Sequence, residues 1–182
     1  MYGKFNPCFL QRIFEEAELT SASYIVDMGS GVGDVVVQAS LYAGCSAFGI
    51  ELHPDLMKLA EGLLSHIQQL GQLSSIPIGG MEIIQRNMLT DATAKYHIEH
   101  ADLIVCNNQC LDAQGKKSAT VKNFDPCQEG CDYSISEDTF YFLSPKWRAW
   151  VADLFSTKKQ VFQSGDVSWS NNGKDYYWQV KK

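Results

Sequence analysis

Tyr24-Ile25-Val26-Asp27-Met28-Gly29-Ser30-Gly31-Val32-Gly33, followed by an apolar helical pattern and then by Ala47-Phe48-Gly49-Ile50-Glu51, decides the fold of this chain. An apolar run ends in a carboxylate and three alternate glycines, and a second apolar run ends in another carboxylate. That order spells strand, tight turn, helix, strand, the unit from which doubly wound α/β sheets are built. Glycine has no Cβ, so the turn can be sharp and its backbone can approach a ligand. Glu51 closes the second strand at the point where a nucleoside ribose would present two hydroxyls.

Two ligand classes compete for such a unit. Dinucleotide folds use G-x-G-x-x-G and seat a pyrophosphate on the helix N-terminus. Here Asp27 precedes the first glycine and Asp34 follows the last, and both would repel a pyrophosphate. An acid at this turn suits a cationic ligand. S-adenosylmethionine carries an ammonium and a sulfonium, and its ribose suits Glu51. The spacing of the two acids around the loop favours the methyl donor. A plain strand–helix turn holding no ligand is the third alternative.

The 182 residues are expected to form one domain, 1–182, long enough for a full core. Apolar content of 45% is ordinary for a globular protein. No apolar run is long enough to span a bilayer, and Met1-Tyr2-Gly3-Lys4 does not begin a signal peptide. The expectation is a soluble, intracellular monomer with no membrane partner. A net charge of −6 argues against a self-sufficient nucleic-acid binder and is compatible with a basic protein substrate. The six cysteines include two C-x3-C pairs, Cys106 with Cys110 and Cys127 with Cys131. Zinc sites more often use C-x2-C, and Cys106 falls in an expected core strand, so buried free thiols are the better reading and no metal is expected.

Asn6-Pro7 starts a helix, expected over Pro7 to Leu19 from the spacing of Phe9, Leu10, Ile13, Phe14 and Ala17. After Glu51 a long amphipathic helix carries Leu56, Leu59, Ala60, Leu63, Leu64, Ile67 and Leu70 as one stripe, with loop from Gly71 to Gly80. Met81 to Gln85 is a short strand. Asn87 and Met88 follow it, where an amide and an apolar face would border an adenine. Thr90 to His100 reads as a weak helix and Ala101 to Cys106 as the next strand. That strand ends in Asn107-Asn108, at the carboxyl edge where ligands collect in open α/β sheets, although asparagine is also a common turn residue. Phe140 to Phe155 is an aromatic-rich core block, helical in part from Pro145. Val161 to Gln163, Asp166 to Trp169 and Asp175 to Val180 read as strands, with a hairpin signal at Asn171-Asn172-Gly173.

Several separate pieces match one family. Tyr2-Gly3, the loop Asp27 to Gly33 with Gln38 downstream, Gly49-Ile50-Glu51, Asn107-Asn108, Val167-Ser168-Trp169 and Tyr176-Tyr177 together resemble the non-SET histone lysine methyltransferases named for disruption of telomeric silencing, the Dot-one family. The resemblance is nearly gap-free from Tyr2 to about Ala60, sparse to Leu111, poor from Asp112 to Gly165, and returns at Val167. It implies a class I S-adenosylmethionine-dependent methyltransferase fold, Rossmann-like, with a mostly parallel seven-strand sheet and a C-terminal antiparallel hairpin. It also implies a nuclear chromatin enzyme whose partner is histone H3 in the nucleosome. Tyr2 and Phe5 would border the donor. Asp27, Gly29, Ser30, Gly31 and Gly33 would shape its methionine pocket, with Gln38 beyond the loop. Glu51 would hold the ribose, and Asn87 and Met88 would stand at the adenine. Asn107 and Tyr176 would line the lysine channel. The chain departs from the family pattern at Lys4, Asn87, Gln109 and Leu111.

Methyl transfer to lysine needs a neutral amine aligned behind the sulfonium methyl, and the protein mainly positions and desolvates the partners. No dedicated general base is required. Two alternatives remain open on the sequence: a catalytically silent S-adenosylmethionine-binding module, and a methyltransferase for a non-histone lysine or a small molecule.

Overall fold

The computed structural model of the chain describes residues 4–88, 90–106, 155–161, 163–166 and 175–181, with 155–161 and 175–181 described by their backbone. The chain divides into two compact units, Pro7–Cys106 and Met1–Asn6 with Asn107–Lys182.

The first unit alternates helices and parallel strands. Helix α1 (Pro7–Glu16) starts on Pro7, whose fixed φ suits a first helical position, and buries Phe9, Leu10, Ile13 and Phe14. It ends three residues before the expected Leu19, because Glu18 takes a left-handed φ of 52° and the Leu19 N–H turns back to the Phe14 carbonyl. Strand β1 (Tyr24–Met28) leads through the glycine loop into α2 (Asp34–Ala43). Gly44, at φ 66°, stops α2 by returning its N–H to Ser40 O. Strand β2 (Ser46–Glu51) is followed by α3 (Pro54–Ser74), then β3 (Met81–Gln85). Helix α3 runs past Gly71, where the sequence suggests a loop. Gly71 is buried beneath Ile78, a place with no room for a Cβ, so packing overrides the poor helix propensity of glycine. Helix α4 (Ala92–His100) is capped by Asp91, whose Oδ1 accepts from the Thr93 N–H, and β4 (Leu103–Cys106) completes the unit.

These four strands lie in the order β3-β2-β1-β4, all parallel. The register pairs Asp27 with Gly49 on one side and with Val105 on the other. Chain connections therefore proceed outward from β1 to β2 and β3, then return to the opposite side of β1. The place where the order reverses lies between β1 and β4, at their carboxyl ends, which is where open α/β sheets bind ligands. The core beneath it is apolar, with Phe48, Ile25, Ile50, Leu103, Val26 and Val36 almost fully buried.

In the second unit, β5 (Phe155–Val161) pairs antiparallel with β6 (Asp175–Lys181), Phe155 opposite Lys181 and Val161 opposite Asp175. This corrects two sequence expectations. Phe155 begins a strand and does not close a partly helical block, and the strand covers Phe155–Val161 where Val161–Gln163 was expected. Lys158-Lys159 breaks the apolar run that marks a strand, while backbone pairing carries it regardless. Asp166, expected in a strand, sits in a turn: its Oδ2 accepts from Gln163 N at 2.6 Å, and its own N–H donates to Gln163 O. The asparagine–glycine hairpin signal and the residues from Asn107 to Leu154 lie outside the described residues.

Candidate functional site

The site is built from the ends of β1 and β2 outward. The loop after β1 carries Gly29, Gly31 and Gly33 at φ of 83°, 56° and 87°, left-handed values that a side chain strains. Gly33 has a second reason to lack a Cβ: one would lie 2.7 Å from Ile83 Cδ1 and 3.2 Å from Leu64 Cδ1. The loop is pinned to β2 by its own backbone, since Gly29 N and Ser30 N both donate to Ile50 O, at 2.9 and 3.0 Å.

Glu51 is the centre of the arrangement. Its side chain is 6% exposed. Oε2 accepts from Gly31 N at 2.8 Å, and Oε1 accepts from Leu52 N at 2.9 Å and His53 N at 2.8 Å. Its carbonyl accepts from Arg86 N at 2.9 Å, which draws the exit of β3 alongside. One carboxylate thus fastens the glycine loop, the start of α3 and its own strand end. A carboxylate offers about four acceptor sites, so roughly one remains for a ligand hydroxyl.

Asp27 is buried (3% exposed) in the middle of the sheet, between Gly49 and Val105. Burial, then the neighbouring Glu51 and Asp34 carboxylates, push its pKa up to about 8. At neutral pH it therefore holds its proton. A positive charge beside it would favour its ionised form. Cys106, one position along β4, is pushed up to about 12 by burial and by Asp27, so its thiol is inert.

Ser30 is buried, and its Oγ has no hydrogen-bond partner among the described residues. It stands against Gly49, where a Cβ would lie 2.8 Å from that oxygen. A Cβ at Gly29 would meet nothing within 4 Å, so the first turn of the loop borders open space. An orphaned buried hydroxyl, an open glycine turn and a carboxylate with spare acceptor capacity suit a nucleoside-bearing ligand.

The remaining expected residues fall into four groups. Asn87 and Met88 are half-buried just after β3, beside the Glu51 backbone, and Asn87 O accepts from Thr90 N and Asp91 N. Gln38 is not turned to the loop: its Nε2 donates to Pro7 O at 2.6 Å, tying α2 to the start of α1. Phe5 is buried in the other unit, where the adjacent Asn6 N donates to Asp166 O. Tyr2, Asn107 and the side chain of Tyr176 lie outside the described residues; the Tyr176 backbone is paired opposite Gln160. Sequence reasoning missed the backbone N–H groups of Leu52, His53 and Arg86. A backbone donor leaves no residue-type signal, and only the apolar–acid strand end hints that something there must hold the carboxylate.

Comparison with known proteins agrees with this geometry. Residues 1–181 match the family described as "Histone methylation protein DOT1". The H3 lysine-79 specific histone-lysine N-methyltransferase of Emericella nidulans is 29% identical over 185 residues, covering 100% of this chain and 36% of that protein. Its counterpart in Yarrowia lipolytica is 28% identical over 182 residues, covering 97% and 36%. The chain thus spans little more than a third of those relatives' length. Among solved structures, an RNA methyltransferase from Salinibacter ruber in complex with S-adenosyl-L-homocysteine aligns at a TM-score of 0.46 and 23% identity, over 59% of this chain and 65% of that one. A methyltransferase from Thiobacillus denitrificans, described as SAM-dependent and in complex with the same product, aligns at 0.47 and 15%, over 88% and 51%. The sheet order and the glycine loop clamped to a strand-end acid are those of the Rossmann-like class I methyltransferase fold. With that loop, Glu51 and the whole parallel sheet inside a match that runs from residue 1 to residue 181, the chain belongs to the DOT1 family of histone methylation proteins.

Proposed function

We propose that this chain is an S-adenosylmethionine-dependent protein lysine methyltransferase. Its proposed substrate is a lysine in the globular core of histone H3 on nucleosomes, the lysine-79 position in the names of its relatives. The nucleus follows as its site of action. The observation that carries the reading is the Gly31 to Glu51 hydrogen bond within the DOT1 match: a glycine turn fastened to an acid at the end of β2 prepares a ribose and methionine site before any ligand arrives.

When bound, the donor supplies an electrophilic methyl group that a neutral lysine amine takes up by direct displacement. This chain's residues do the rest. Glu51 offers its spare acceptor site to the ribose. Asn87 and Met88 border the adenine. Asp27, giving up its proton, answers the donor's positive charge. Ser30, Gly29, Gly31 and Gly33 form the turn that lets the methionine end approach. Asn107, next in sequence after β4, is assigned by the family resemblance to orienting the amine, and Tyr176, Tyr177 and Leu111 are the proposed lining of a dry channel that would favour the neutral form of lysine. The family resemblance assigns Tyr2 and Phe5 to the border of the donor. Gln38 supports the site through α1, without touching the donor.

The test is methyl transfer from a radiolabelled donor to nucleosomes, free histone H3, and H3 with arginine in place of the target lysine. Label on the first two and none on the third is expected. Donor binding without label on any histone would replace this reading with a silent binding module. Asn107→Ala should keep a near-native melting temperature and lose transfer by roughly tenfold to a thousandfold. Asn108→Ala is the control.

A further inference from the structure

Helix α3 carries more apolar surface than the sheet takes up. Met57, Ala60, Leu64 and Gly71 are buried and mark its inner face. Leu59 is 61% exposed, Leu70 44% and Leu73 83%, although Leu59 and Leu70 belong to the single apolar stripe that the sequence shows. Leu56 and Leu63 are half-buried along the border. Leu56, Leu59, Leu63, His66, Leu70 and Leu73 alternate steps of three and four over the whole helix, the a/d repeat of a coiled-coil seam. This second stripe is centred about 120° from the buried one around the helix axis.

We propose that the exposed face of α3 is a self-association surface that takes α3 of a second copy of this chain in antiparallel register. The stripe is complementary to itself in that orientation. A twofold axis between residues 64 and 65 sets Leu56 against Leu73, Leu59 against Leu70, and Leu63 against His66. Parallel pairing would instead face His66 with its own copy and bury two imidazoles against each other. Of the positions flanking the stripe, Ala60, Gly62, Ile67, Gln69 and Ser74 carry no charge, and Asp55 falls opposite Ser74 of the other copy, so no like charges face each other along the seam despite a net charge of −6 each. Gly62 leaves room for close approach. Such a contact is isologous and closes at two copies. Leu52 and Ile76, each 53% exposed, lie just beyond the two ends of the helix. The apolar surface available is on the order of 500 Å² per copy, large for a free surface. Two copies therefore bury roughly 1,000 Å², the low end for a specific interface, and a weak, concentration-dependent dimer is expected.

The experiment is sedimentation velocity across roughly 5 to 500 μM protein, a range matched to an interface of this size. The wild-type chain should pass from monomer to dimer. Leu59→Glu with Leu70→Glu should remain monomeric with an unchanged melting temperature, since both side chains face solvent. His66→Leu should tighten the dimer by roughly tenfold, because it replaces a polar group in the seam with leucine. With Cys8, Cys110, Cys127 and Cys131 replaced by serine, mixing Leu59→Cys protein with Leu70→Cys protein should give an oxidised cross-linked dimer that neither gives alone. A wild-type chain that stays monomeric throughout overturns the proposal. So does a dimer that survives the double glutamate variant, or a Leu59→Cys chain that cross-links to itself in preference to Leu70→Cys.

Discussion

Glu51 illustrates how one side chain can be structural and binding at once. Its three backbone hydrogen bonds mean that Glu51→Ala removes acceptors from Gly31, Leu52 and His53 together. Leaving such donors without partners should cost about 2 kcal/mol or more before any ligand is considered. In a chain of this size that lowers the melting temperature by roughly 4–8 °C. Thermal denaturation without ligand checks it, and an unchanged midpoint would mean that the carboxylate does not fasten the loop. Asp27 makes a second residue-scale prediction, with a definite sign. Its folded-state pKa, about 8, is raised above the ordinary carboxylate value of 3.8, so the folded state holds the proton more tightly than the unfolded chain. The resulting stability is fully present below the ordinary value, declines as pH rises, and is lost once pH passes about 8. Asp27→Asn keeps the shape without the titration. Urea unfolding between pH 5 and 9 should show the wild-type chain losing stability relative to the Asn variant as pH rises, then a constant difference. Parallel curves across that range would rule out a proton held on Asp27.

At the scale of elements, the loop and β2 act as one piece. Gly29 N and Ser30 N bond to Ile50 O, while Ser30 itself packs against Gly49. A Cβ at position 49 would press on Ser30 and on Ile83, so Gly49→Ala should lift the loop off the strand. Hydrogen exchange at the Gly29 and Ser30 amides should quicken by about tenfold or more, while exchange in β4 stays unchanged. Equal protection in both proteins would show that Ser30 moves aside freely. The same elements show what was legible in the sequence. β1, the loop, α2 and β2 could be read because local chemistry and tertiary role coincide there: apolar run, acid, glycines, helix. Helix α3 was read too short because a glycine in a helix is written as a break, and only Ile78 above Gly71 shows otherwise. Its apolar residues were read as one stripe, because periodicity reports amphipathicity and cannot count how many faces are covered. β5 was missed because Lys158-Lys159 hides a strand held by its partner β6.

At the scale of the whole molecule, charge decides how a nucleosomal substrate would be reached. The net charge of −6 supplies no overall attraction to a DNA surface that carries one negative charge about every 1.7 Å along the helix axis. If histone H3 on nucleosomes is the substrate, the 182 residues alone should methylate nucleosomes weakly, even where the donor site is fully formed. Fusing a tail of about eight lysines would neutralise a similar number of phosphates, and affinity would then fall with salt at a log–log slope near −7. Methylation of nucleosomes below saturation should therefore rise sharply with the tail at low salt and lose that gain at high salt. Methylation of free histone H3, which has no DNA to hold, should not gain from a basic tail. The pair of substrates separates two causes of weak activity. A defective methyl-transfer site would leave both substrates poor with or without the tail, whereas a competent site lacking a DNA anchor would be rescued on nucleosomes alone. Rescue on neither would place the limit in methyl transfer itself, the step proposed above for Asn107 and Tyr176. Equal gain on both would mean that the tail acts on the enzyme and not on the DNA.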